Sequence, residues 1–198
     1  SGDLPPEDDS GGGGEVDTGE PEASDTGEDS AEPPVDIDIT TLRGAAESSG
    51  RLAGVAISSS AMRSDPEYLA ILVAEFGGIT PENATKWGPL QPSEGVWDFE
   101  KADEMIVLAA SEDLRVKGHA LLWHNQIPSW IDDSIDATTL EGLMDDHFRE
   151  TLEHFSTDVP DWDVVNEAFE WSGAYRESMF WDLFGPSYIA AAFQRAAA

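Results

Sequence analysis

The sequence predicts an α/β fold, a (β/α)8 TIM barrel of which only about the first four βα units are present, and three observations carry that prediction. Four apolar, strand-like runs alternate with helical patterns from about residue 40 to residue 198, and such alternation implies a parallel sheet with right-handed crossovers. Polar and aromatic residues gather after the second, third and fourth runs, where the carboxyl ends of barrel strands would form a mouth. The region is about 160 residues long, whereas a closed barrel takes roughly 250. An open four-stranded sheet is the competing arrangement.

Each element has its own signal. Residues 41–48 read as a lead-in helix and residues 51–58 (RLAGVAIS) as the first strand. Asp65 and Pro66 supply an N-cap and a first-turn proline, opening a helix through Phe76. Gly77 to Thr80 forms a short second strand before Pro81. Asp98 to Ser111 is helical because Ala102, Met105, Ile106 and Ala109 share one stripe. Arg115 to Trp123 is the third strand. Residues 137–155 make a longer amphipathic helix, with Leu140, Leu143, Met144, His147, Phe148 and Leu152 at helical spacing. Asp161 to Glu167 is the fourth strand; its β-branched Val164 and Val165, bounded by Pro160, suit a covered parallel strand. Ser187 to Ala197 begins the fourth principal helix.

Composition divides the chain. Fourteen of the 41 acidic residues and none of the ten Lys and Arg lie in the first forty positions, together with Gly11 to Gly14 and the Pro33-Pro34 pair. Such a stretch buries too little apolar surface to offset its ordering entropy, so residues 1–38 are expected to be a disordered acidic linker. The remaining 158 residues still carry a formal charge near −17, with Lys only at 86, 101 and 117. An acidic, Lys-poor surface fits adaptation to high salt, where counterions screen self-repulsion. The same charge argues against nucleic acid or anionic membranes as partners. There is no cysteine and no run long enough to span a membrane. The chain opens on Ser1 rather than Met, which fits removal of a leader and a secreted or cell-surface protein.

Three strand ends supply the chemistry: Glu82, Asn83, Lys86 and Trp87 after the second; His119, Trp123, His124 and Gln126 around the third; Asn166 and Glu167 at the fourth. Amide, imidazole and ammonium donors beside carboxylates suit a dense array of hydroxyls, and flat indoles suit the apolar faces of sugar rings. No glycine-rich loop opens a helix after a strand, so a phosphate ligand is disfavoured. His147 and His154 stand seven apart on one helix, without metal-ligand spacing, and are expected to be a core-facing and a surface residue. No metal and no cofactor are implied.

The segments ENATKW (82–87), PLQPSEGVWDFEKAD (89–103), GHALLWHNQIPSW (118–130) and WDVVNEAF (162–169) together resemble glycoside hydrolase family 10, the endo-1,4-β-xylanases, over residues 40–198. The resemblance implies that Glu167 is a general acid/base and that Asn166 hydrogen-bonds the 2-hydroxyl of the sugar being cleaved. It implies that His119 and Lys86 contact that sugar and the next, with Glu82 and Asn83 lining the same distal side. Trp123 would border the cleavage point and Gln126 would add a polar contact. His124 is instead expected to tether its loop, and Trp97 and Trp162 to pack in the core.

A glycosidic oxygen leaves poorly unless an acid protonates it, and in a retaining enzyme a second carboxylate attacks the anomeric carbon. The resemblance places that nucleophile in a later strand, and nothing after Glu167 matches its motif; Glu170 and Glu177 fall on the connection to the next helix. The 198 residues alone are therefore expected to be inactive. Adjacent strand residues face opposite sides, so Asn166 and Glu167 can share a pocket only if the strand bends at its end. The expected partner is xylan and the expected state a monomer. A related β-glycanase acting on glucan or mannan, and a noncatalytic polysaccharide-binding protein, remain the alternatives.

Overall fold

The computed structural model describes residues 39–198; the acidic linker expected at residues 1–38 lies outside the described residues. The elements are α1 (Leu42–Ser48), β1 (Gly54–Ile57), α2 (Ser59–Ser64), α3 (Pro66–Glu75), β2 (Gly78–Pro81), α4 (Trp87–Leu90), α5 (Glu100–Ser111), β3 (Arg115–Leu122), α6 (Ala137–Phe155), a 3-10 turn (Ser156–Asp158), β4 (Asp161–Val165), α7 (Met179–Phe184) and α8 (Ser187–Ala196). The four strands form one sheet in the order β1-β2-β3-β4, every pair parallel. These are the predicted first βα units of a barrel.

The start of α3 follows the predicted capping chemistry. The Asp65 carboxylate accepts from the backbone N–H of Glu67 (3.0 Å) and Tyr68 (3.1 Å), with Pro66 filling the first turn where no N–H is needed. Asp136 caps α6 by accepting from the Thr139 N–H (3.0 Å). Three short helices, α2, α4 and α7, lack a periodic stripe and went unpredicted; a helix of four to six residues is held by its surroundings more than by its own pattern.

Two apolar clusters pack the helices against the sheet. Ile57, Leu72, Ile79, Leu90, Met105 and Val116 belong to one, around β1, β2 and the start of β3; Leu121, Leu122, Leu140, Met144, Phe148 and Phe180 belong to the other, around the end of β3 and β4. All four stripe residues of α5 are buried, as their spacing predicted. Full burial of each large apolar side chain contributes about 1.5–3 kcal/mol. Trp162 packs against both clusters, and Trp97 against the first.

Three strands, β1, β3 and β4, end one or two residues earlier than predicted, and β2 ends one residue later. β1 spans Gly54–Ile57, because Arg51, Leu52 and Ala53 lead in without a partner strand. β2 runs through Pro81: the Glu82 N–H reaches the Ile57 carbonyl (2.9 Å), while pairing to β3 has already ceased after Ile79, so the missing proline donor is not needed. β4 is half-buried along its whole length rather than covered, since it is the edge of the sheet among the described residues. It stops at Val165, two residues short of Glu167.

Candidate active site

The ends of β2, β3 and β4 bring five of the predicted residues, Asn83, Lys86, Trp123, Gln126 and Glu167, into one line of contacts. After β2, the Lys86 ammonium donates to Asn83 Oδ1 (2.9 Å), which also accepts from Gln126 Nε2 (3.0 Å) after β3. Lys86 is buried and its Nζ sits 4.5 Å from the centre of the Trp123 ring. Trp123 Nε1–H in turn donates to Glu167 Oε2 (2.9 Å), beyond β4. An ammonium, two amides, an indole and a carboxylate are thus linked across three strands. Burial holds the Lys86 pKa below the ordinary lysine value, although Glu82 and Glu167 pull the other way.

His119 lies deeper, fixed from two sides. Thr85 Oγ1 bonds both its backbone carbonyl (2.8 Å) and its N–H (3.1 Å), and its Nδ1 lies 2.9 Å from Asp163 Oδ2. The register pairs His119 with Asp163 directly. Asp163 also binds the Lys117 ammonium (2.6 Å); burial pushes its carboxyl up, but the hydrogen bonds from Lys117 and His119 outweigh that and hold it below the usual carboxylate range. With Arg115 against Asp161, one face of β3 and β4 carries a ladder of opposite charges.

The predicted irregularity at the end of β4 is present. The β3–β4 register shifts between His119 and Leu122, the Asn166 N–H still reaches the Leu122 carbonyl (2.9 Å), and Glu167 then adopts a left-handed φ of 53°. After this turn Asn166 and Glu167 both border a small void of about 10 Å³, shared with Trp123, His124, Arg176, Ser178 and Tyr188. The Asn166 side-chain amide makes no hydrogen bond among the described residues. No other carboxylate lines that cavity among the described residues.

His124, expected to tether its loop, also stands near Glu167, with Nε2 3.8 Å from Glu167 Oε2. Asn125 Nδ2 donates to that nitrogen (3.0 Å). Burial, reinforced by Arg176 and opposed by Glu167 and Glu170, lowers the His124 pKa, which keeps the ring neutral. Trp87 faces away from the cavity: it is buried, donates Nε1–H to Gln91 and stacks on His147 at 4.5 Å. His147 is fully buried and His154 pairs with Asp103 at the surface, the division expected of them. Glu82 is exposed at the rim.

Three residues of the site were not anticipated. Asp163 and Thr85 hold His119, and Arg176 reaches back to the Glu167 carbonyl (3.0 Å). Strand alternation could have found Asp163, which alternates with the packed Trp162 and Val164. Arg176 is the only cation in an acidic connection, a weak signal without the structure.

Comparisons with known proteins identify the family and agree with the fold. The model of glycosyl hydrolase family 10 matches residues 41–198. Endo-1,4-beta-xylanase D of Talaromyces funiculosus is 41% identical over 137 residues, covering 68% of this chain and 34% of that protein. Endo-1,4-beta-xylanase B of Thermotoga neapolitana is 38% identical over 124 residues, covering 62% of this chain and 36% of that protein. The crystal structure of xylanase 10B from Thermotoga petrophila RKU-1 in complex with xylobiose superposes with a TM-score of 0.75 at 34% identity, over 79% of this chain and 49% of that one. The chain thus spans about a third of the length of these two curated relatives and half of that solved structure.

Proposed function

Because the chain belongs to glycosyl hydrolase family 10, we propose that it serves the endo-hydrolysis of 1,4-β-D-xylosidic linkages in xylan with retention of configuration, Glu167 acting as general acid/base. The observation that carries this reading is the Glu167 carboxylate at a strand end, hydrogen-bonded by the Trp123 indole and following directly on Asn166.

The chemistry then runs in two steps. Glu167 gives its proton to the bridging oxygen while a second carboxylate, about 5–5.5 Å away, attacks the anomeric carbon; the C–O bond breaks and a glycosyl-enzyme ester forms. Glu167, now a carboxylate, takes a proton from water, which attacks the same carbon and frees the nucleophile. That nucleophile comes from outside these 198 residues, in the strands that complete the barrel. The Asn166 amide binds the 2-hydroxyl, a contact that strengthens as the ring approaches an oxocarbenium ion. Lys86, Asn83, Glu82 and His119 hold the sugar being cleaved and the next one, while Trp123 and Gln126 border the cleavage point. No cofactor or metal takes part. The protein acts as a monomer, outside the cell, and its acidic surface tolerates high salt.

Replacement of Glu167 by Gln in the full-length protein tests the reading. Reducing-sugar release from xylan falls about a thousandfold, the scale of a lost general acid, while cellulose and mannan stay poor substrates for the unaltered protein. Undiminished xylan cleavage by Glu167→Gln would overturn the assignment. A preference for mannan or cellulose would overturn the substrate, and appreciable turnover by residues 41–198 alone would overturn the external nucleophile.

A further inference from the structure

We propose that Arg176 is a positioning residue for the acid, holding the Glu167 backbone in the left-handed turn that brings its carboxylate to the Trp123 indole. The proposal rests on the reading of Glu167 given above. Glutamate at a φ of 53° is disfavoured, because the side chain crowds the following carbonyl. Something must hold it there.

Arg176 binds both sides of the turn. Its Nε–H donates to the Glu167 carbonyl (3.0 Å), its own backbone N–H donates to the Ala168 carbonyl (2.9 Å), and its Nη1 pairs with Glu170 Oε1 (3.0 Å). Glu170 is itself fixed at the base of a tight turn: its N–H bonds the Ala174 carbonyl (2.8 Å), and the Gly173 N–H bonds the Glu170 carbonyl (2.8 Å). Phe169 and Tyr175 pair across the same hairpin, their rings 4.9 Å apart. The guanidinium therefore braces the peptide after Glu167 against a rigid hairpin, and the Arg176 side chain is only 24% exposed. Opposite this brace, the sole side-chain hydrogen bond on the carboxylate among the described residues is the one from Trp123. With the brace removed, the 167–168 peptide is free to turn and the carboxylate leaves Trp123. A lysine cannot replace it fully, since one ammonium lacks the planar fork that spans a carbonyl and a carboxylate together.

The test separates positioning from folding. The full-length protein is assayed on xylotetraose, whose leaving sugar needs a proton, and on 2,4-dinitrophenyl β-xylobioside, whose leaving phenolate does not. For the second substrate kcat/KM reports bond cleavage without the acid. Arg176→Ala and Arg176→Met are expected to lower kcat/KM on xylotetraose about a hundredfold, the cost of a misplaced catalytic group, and on the dinitrophenyl substrate by no more than about threefold. Arg176→Lys falls between. Equal losses on both substrates, or no loss on either, overturn the proposal. Glu167→Gln run alongside distinguishes the two failures. If it is selectively impaired on xylotetraose and Arg176→Ala is not, the role of Arg176 alone is wrong; if it is unimpaired, the reading of Glu167 is wrong and the brace with it.

Discussion

The helix-covered back of the sheet and its strand-end mouth are built by different rules. Behind the sheet, Met105, Ala109, Leu140, Met144 and Phe148 meet their neighbours because helical spacing brings them there, and volume decides which side chains fit. At the mouth single polar contacts decide: Lys86 to Asn83, Gln126 to Asn83, Trp123 to Glu167, with Gln126 and Glu167 both at a φ of 53°. The back should tolerate changes of chemistry and resist changes of size. The mouth should do the reverse.

The largest expected effect lies where one residue serves the back and nothing else. A Cβ placed on Gly118 would come within 2.3 Å of the Trp162 ring, which is pinned by a hydrogen bond from its Nε1 to the Val159 carbonyl (3.0 Å) and packed against Phe155. The ring has little freedom to move aside. Gly118→Val is expected to cost about 3 kcal/mol or more, a large share of the roughly 5–15 kcal/mol available to a domain. Urea unfolding measures it; a variant as stable as the parent would show that the back is looser than described.

His147 sharpens the contrast, since it is a polar residue obeying the rules of the back. Fully buried, it donates Nε2–H to the Leu121 carbonyl (2.9 Å) and meets Thr151 Oγ1 at Nδ1 (3.2 Å), and burial lowers its pKa to about 3. The unfolded chain takes up this proton near pH 6.5 and the folded one does not. The stability it supports is therefore complete above about 6.5 and is lost as pH falls toward 3. Between pH 7 and pH 5 the loss from this group is about 2 kcal/mol. His147→Gln keeps a donor for Leu121 without the titration, so its unfolding free energy should fall less over that interval. Equal falls in the two proteins would mean His147 is not kept neutral.

The same division explains what the sequence could tell. The buried stripe of α5 and the full span of α6 were legible because a repeat of 3.6 residues is written in the order of residue types. The three short helices were not, because none contains enough residues for a period. At the mouth, the residue types and the bend after Val165 could be inferred from the Asn166-Glu167 pair and from matched motifs. The supporting pairs could not. Arg176 stands nine residues from Glu167 and Asp163 stands 44 from His119; both depend on loop closure and strand register, which composition does not record. The closeness of His124 to Glu167 was hidden for the same reason, since it follows from the turn at Glu167.

Lys86 offers the smallest and most diagnostic effect. Its ammonium is buried against Trp123 and bonded to Asn83, so a structural view would expect its loss to destabilise the fold. Burial, however, already opposes the charge, and Asn83 keeps Gln126 as a donor when Lys86 is gone. Lys86→Met fills similar space with an apolar chain and leaves no orphaned acceptor. Its stability is expected to stay within about 1 kcal/mol of the parent, while KM for xylotetraose rises about tenfold through a lost charge-assisted contact to a sugar hydroxyl. Stability loss without a change in KM would move Lys86 from the mouth to the core, and the line between the two regions would then have to be drawn at Trp123.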